Sequence, residues 1–250
     1  MKPLIRNKMW SLFIKEVKGF FSNLTGYVVI IVFLLAVNLF MWVFSGELNV
    51  LDAGYATIET LFIIAPWVFL FLVPAITMRM FSEEKKTGTI ELLLSRPLTG
   101  FQIVFSKFLA AATLVLLSLI PCLIGYLSVY LLGNPVGNID TGATWGSLVG
   151  LFFLGAVYAA IGIYASSLTD NTIIAFIVAL VLCFLFYTGF DLLAEFPLFK
   201  SISVFVLYLG INEHYQSVSR GVIDLRDIIY FLAVIAVFIL LTTARLKIRK

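Results

Sequence analysis

The sequence predicts an all-α polytopic membrane protein with six transmembrane helices. Three observations lead there. The 250 residues are 62% hydrophobic and only 12% charged, with mean hydropathy +1.08, whereas soluble domains average roughly 45–50% apolar and about 25% charged. Six apolar runs are each long enough to cross a bilayer. Finally, Lys and Arg collect on one side of those runs, as the positive-inside rule requires of a membrane protein with a set orientation.

Residues 1–26 precede the first run and hold Lys2, Arg6, Lys8, Lys15 and Lys18. Ile5, Met9, Phe13 and Val17 recur every four residues among them, joined by Trp10, Phe20 and Phe21. That spacing predicts an amphipathic helix lying in the headgroup plane. A cleaved signal peptide is disfavoured, because both the basic segment and the apolar run are too long and no small-x-small site precedes Gly46.

The spans are placed at 27–44, 61–78, 108–132, 145–168, 172–190 and 228–244. Even the last, at about 1.5 Å per residue, reaches most of the way across a hydrocarbon core of about 30 Å. Pro66, Pro74 and Pro121 are expected to kink their helices, as curvature or as hinges. Asn38, Thr77 and Ser118 are expected to find partners on neighbouring helices. Gly146, Gly150, Gly155 and Ala159 make a small-residue face on the fourth span, suited to close packing within the bundle or to a dimer seam. Thr169-Asp170-Asn171 leaves room only for a tight hairpin between spans four and five, with Asp170 the expected cap.

Fourteen of the 17 Lys and Arg residues fall in 1–26, 79–107 and 245–250, the last segment contributing Arg245, Lys247, Arg249 and Lys250. Both termini and the loop after span two are therefore expected in the cytoplasm. Segment 191–227 lies on the other side and is expected to dip into the outer interface as short re-entrant helices, given its apolar stretch Leu198 to Leu209. His214, the single histidine, reads as a solvated surface residue, since no other metal ligands lie near it. Asp224 is placed to cap the last helix, and Asp227 to favour its positive start. Cys122 and Cys183 both sit inside apolar runs, as buried small hydrophobes without a disulfide or metal role.

None of the six runs contains Asp, Glu, Lys, Arg or His. Ion-coupled carriers need charged or titratable groups near mid-membrane, and intramembrane enzymes need catalytic constellations, so both classes are disfavoured. The strongly charged stretch between two long runs is 81–98, FSEEKKTGTIELLLSRPL. Here the second helix is expected to continue through Glu83, Glu84, Lys85 and Lys86 and to stop at Gly88, which suits a left-handed cap. A short helix from Ile90 to Ser95 follows, ended by Pro97. Thr99 and Gln102 then read as a capping box opening the third helix. From the residues alone the short helix could lie on lipid or dock a protein.

The run MRMFSEEKKTGTIELLLSRPLTGFQIVFSKFLAA resembles the corresponding loop of ABC-2 type transporter permeases, on Glu83, Glu84, Lys85, Gly88, Thr89, Glu91, Leu92, Leu93, Arg96, Pro97 and Lys107. Together with GNPVGNIDTGATWGS, LTDN and SRGVIDLRDIIYFL, it is similar to the gliding-motility permeases of the GldF type. The resemblance implies a type V exporter-like fold in which the helix between spans two and three is a cytoplasmic coupling helix. Leu92 and Leu93 would anchor it in an ATPase cleft. Glu83, Glu84, Lys85, Lys86 and Arg96 would set register, with Gly88, Thr89, Glu91 and Pro97 completing the surface. No G-x-x-x-x-G-K-S/T occurs, so the chain is expected to be non-catalytic and without a cofactor, ATP and magnesium being bound by a partner ATPase of the GldA type. A second permease-like subunit of the GldG type, or a second copy, is also implied, in the bacterial inner membrane. The alternative is a mechanotransmitting or scaffolding subunit that moves no substrate.

Overall fold

The computed structural model describes residues 2–247, with backbone alone for 2–7, 198, 199 and 201. The side chains of Lys2, Ile5, Arg6, Leu198 and Phe199, and the whole of Arg249 and Lys250, therefore lie outside the described residues. Every described regular element is helical.

Helix α1 (Lys2–Ser22) leads into α2 (Thr25–Asn38), whose last turn widens into a π turn, Leu39–Val43. Then come α3 (Glu59–Thr77), α4 (Arg79–Lys86), α5 (Ile90–Leu94), α6 (Gly100–Leu119) and α7 (Cys122–Leu132). Next are α8 (Thr141–Leu168) and α9 (Thr172–Phe184), the latter with a second π turn at Leu185–Gly189. Helix α10 (Phe190–Glu195), a 3₁₀ turn (Pro197–Ile202), α11 (Ser203–Leu207) and α12 (Ile211–Ser219) precede the closing α13 (Leu225–Lys247). Six helical stretches are long and apolar enough to cross a membrane: Thr25–Val43, Glu59–Lys86, Gly100–Leu132, Thr141–Leu168, Thr172–Glu195 and Leu225–Lys247. With six crossings, α1 and the end of α13 share one face, called here the basic face.

Helix α8 is the axis of the bundle, packing against α3, α6, α9, α12 and α13. Its small residues make that possible. A Cβ on Gly150 would come within 2.5 Å of Val218, and one on Gly155 within 2.5 Å of Val115. A Cβ on Gly162 would overlap the Thr77 hydroxyl. The glycine face of α8 is thus filled from within the same chain by α3, α6 and the segment at α12.

Several local expectations change on folding. Pro66 and Pro74 lie inside α3, and Pro121 falls between α6 and α7. Asn171, not Asp170, caps α9, its side chain accepting from the N–H groups of Ile173 and Ile174. Asn38, Thr77 and Ser118 donate not to neighbouring helices but to carbonyls one turn back in their own, at Leu34, Val73 and Val115. The apolar stripe of α1 packs on α6, with Leu12 buried and the Ser106 hydroxyl donating to the Met9 carbonyl. Lys8, Trp10, Lys15 and Lys18 point away from the bundle.

His214 is not a solvated residue: it is 8% exposed. Its Nδ1 lies 2.7 Å from Asp227 Oδ1, its Nε2 donates to the Tyr208 carbonyl at 3.0 Å, and its ring stacks on Tyr230 at 3.9 Å. Asp227, in the first turn of α13, therefore ties α12 to α13, while Asp224 supplies the cap by accepting from the Arg226 N–H. The neighbouring Tyr215 hydroxyl donates to the Phe62 carbonyl on α3, so three hydrogen bonds from α12 side chains anchor this hairpin, opposite the basic face, to its surroundings. A buried polar group costs free energy unless it is partnered, and these bonds supply partners for His214, Tyr215 and one Asp227 oxygen, the other being buried without one among the described residues.

Candidate functional site

On the basic face, α3 does not stop at the end of its apolar run. After a single turn residue at Met78, itself with helical dihedrals, the chain continues as α4, and the break in the helical ladder leaves backbone groups to be satisfied. Ser166 of α8 does this from the side: its hydroxyl accepts from the N–H groups of Phe81 at 2.9 Å and Ser82 at 3.1 Å, and donates to the Met78 carbonyl at 2.7 Å. Lys85 donates to the Ser167 carbonyl next to it. Ser166→Ala removes all three bonds while burying nothing new, and is expected to cost about 2 kcal/mol, read as a lower thermal midpoint in detergent.

Gly88 then reverses the chain at φ +73. A Cβ there would meet nothing, so the residue serves the backbone angle and not a packing need. In the five-residue α5 that follows, Ile90 and Leu93 are three apart and turn inward, both buried, while Leu92 is 70% exposed. Leu98 closes the loop on the core, and Thr99 and Gln102 form the capping box that starts α6, with N–H···O distances of 3.2 and 2.9 Å. The two leucines that sequence reading paired as anchors therefore have opposite tasks: Leu93 holds the elbow to the bundle, and Leu92 is presented outward.

The charges divide the same way. Glu83, Lys86, Glu91 and Arg96 are exposed, as are Gly88, Thr89 and Pro97. Glu84 and Lys85 are half-buried and engaged inside the chain. Glu84 meets Lys107, which lies two turns into α6 and is 1% exposed. The Lys107 ammonium reaches Glu84 at 2.8 Å, Glu16 of α1 at 3.2 Å and the Met80 carbonyl at 2.8 Å, and lies 5.1 Å from the Phe81 ring centroid. One cation thus joins α1, α4 and α6, three elements distant in sequence. The second oxygen of Glu84 is buried without a partner among the described residues, consistent with two carboxylates sharing one ammonium.

Sequence reading counted Lys107 as one more basic-face charge and missed Glu16 and Ser166. Glu16 carried a signal: it is the sole acid among the five cations of residues 1–26. Ser166 carried none, because its partners are backbone groups more than 80 residues away. Among the described residues no group of three or more His, Cys, Asp or Glu side chains is placed to hold a metal.

Six apolar helical spans, with a clamped elbow on one face, define a multi-pass membrane protein. Residues 10–250 match the family described as ABC-2 family transporter protein, and the chain belongs to that family. It is a membrane permease subunit of an ABC transporter, a family that implies an ABC ATPase partner. No curated protein matches the chain.

Proposed function

We propose that α5 is the coupling helix, that an ABC ATPase subunit grips it, and that the chain is the permease half of an ATP-driven exporter in the bacterial inner membrane. The observation that carries this reading is the split between Leu92 and Leu93. A leucine 70% exposed on a five-residue helix, flanked by Glu91 and Arg96, has the character of an interface anchor with a charged rim. Its base is rigid: Ile90, Leu93, Ser166 and Lys107 bind the elbow to α1, α6 and α8. A push on Leu92 would therefore move the bundle and not merely the loop.

In this reading the basic face is cytoplasmic, ATP and magnesium belong to the partner, and this chain contributes no catalytic residue. The loop resemblance to GldF-type permeases supports a role in gliding motility, with a GldA-like ATPase and a GldG-like second permease or a second copy of this chain. Exposed Glu83, Lys86, Glu91 and Arg96 set the register of docking, while Glu84 and Lys85 serve inside the permease.

Co-expression with the candidate ATPase tests the proposal. Leu92→Asp is expected to abolish co-purification while leaving the thermal midpoint of the permease unchanged, because the side chain is 70% exposed and packs little against the rest of the chain. Full recovery of the ATPase with Leu92→Asp would overturn docking at α5. In a gliding host, the same substitution is expected to halt gliding as completely as deletion of the chain.

A further inference from the structure

The hairpin of α12 and α13 encloses the chain's single histidine where hydrogen-bond arithmetic decides its charge. Both ring nitrogens of His214 face acceptors: Nδ1 lies 2.7 Å from Asp227 Oδ1, and Nε2 lies 3.0 Å from the Tyr208 carbonyl oxygen. A carbonyl oxygen only accepts, and so does an ionised carboxylate, so each contact needs a hydrogen of its own. Neutral imidazole carries one. Turning the ring over would put carbon in place of each nitrogen and satisfy neither contact. Asp227 makes the same demand from its side: Oδ2 is buried without a partner among the described residues, and Oδ1 has His214 as its ion-pair partner there. A bare ring nitrogen against this carboxylate would leave a buried charge with no donor.

The neighbouring groups are committed elsewhere. The Tyr230 hydroxyl is given to the Leu209 carbonyl at 2.6 Å, and the Tyr215 hydroxyl to that of Phe62. Tyr187 and Tyr158 join Tyr215 in one aromatic file, and the Tyr208 ring centroid stands 6.0 Å from the imidazole. On α10, Asp191 accepts from the Asn212 amide at 2.7 Å, while α8 meets α12 through Ser147, whose hydroxyl donates to the Ser219 carbonyl. Glu213, Arg220, Asp224 and Arg226 are exposed.

We infer that His214 and Asp227 form a proton-binding site: at neutral pH the pair holds one extra proton, as an imidazolium against a carboxylate, and this proton latches α12 to α13 and to Tyr208 beyond α11. Of the two places for it, ring or carboxyl, the Tyr230 ring stacked at 3.9 Å favours the imidazole, where a cation meets a π-face. The folded chain then binds a proton that a neutral, unfolded histidine does not. The latch is therefore present at neutral pH and its contribution is lost as pH rises. The site is independent of ATPase docking at α5.

Because the chain has one histidine, isotopic labelling of histidine ring nitrogens reports this site alone. Nuclear magnetic resonance of the full chain in lipid nanodiscs at neutral pH is expected to show hydrogen on both ring nitrogens. Asp227→Asn is the isosteric comparison. Its amide donates to a bare Nδ1 while Nε2–H keeps the Tyr208 carbonyl, so in this variant the ring is expected to be neutral, with hydrogen on Nε2 only, and the fold to survive. In SDS titrations above neutrality, the unfolding equilibrium constant of the unsubstituted chain is expected to rise about tenfold more per pH unit than that of Asp227→Asn, the slope of one linked proton. Two results would overturn the inference: a ring with a single hydrogen in the unsubstituted chain at neutral pH, which needs no variant to observe, or equal pH slopes in the two proteins.

Discussion

Lys107→Met is expected to destabilise the protein by about 3–5 kcal/mol, read by SDS titration of the detergent-solubilised chain. Methionine fills the space of the lysine stem but takes away the cation that Glu16 and Glu84 share, leaving Glu16 only the longer contact with Lys15 at 3.9 Å and Glu84 with one oxygen already lacking a partner. Removing the one buried cation costs more than the cluster contributes when intact, because the half-buried Glu16 and Glu84, one Glu84 oxygen fully sealed, are left with largely uncompensated charge. The triple variant Glu16→Gln, Glu84→Gln, Lys107→Met removes all three charges and is expected to recover most of the loss. A single variant within about 1 kcal/mol of the parent would contradict the burial of this cluster. The cost should also appear as loosened α1, since Glu16 is one of its ties to α6.

Gly221→Ala is the second large effect, at least about 3 kcal/mol, from two sources. The residue has φ +84, a conformation that costs a Cβ-bearing residue about 1–2 kcal/mol. Its Cβ would also overlap the backbone of Ala143 on α8, and backbone cannot move aside as a side-chain tip can. Gly54→Ala separates the two sources, since Gly54 has φ +73 and open space around its Cβ position. Only the conformational part, about 1–2 kcal/mol, is expected there. In Gly221→Ala the hairpin of α12 and α13 should lift from α8, so a cysteine replacing the buried Val218 is expected to become reactive to a water-soluble maleimide. Equal costs for the two glycine variants would show that the contact with Ala143 relaxes freely.

Much of the candidate site was legible because its signals are local. Gly88 as a left-handed stop and Thr99 with Gln102 as a capping box depend on residues within a turn of one another, where backbone sterics and short side-chain bonds decide the outcome. The contrast between Leu92 and Leu93 was not legible. Both are leucines on one short helix, and which of them faces water depends on where the rest of the chain lies. His214 was misread for the same reason: its partner Asp227 is 13 residues away, and the turn between α12 and α13 brings them together.

By itself the sequence determined the class, the six crossings and the charged elbow, because hydropathy and charge act on each segment through its solvent, whether bilayer or water, with no need of a neighbour. Only the tertiary structure decided which charges serve within the chain and which remain outside. Glu84 and Lys107 carry full charges on a basic-face segment, like Glu83 and Lys86, yet folding seals the first pair between three helices and leaves the second pair in water. The physical reason is that electrostatic worth depends on the medium and the partners a fold supplies, and neither is written in the spacing of residues along one helix.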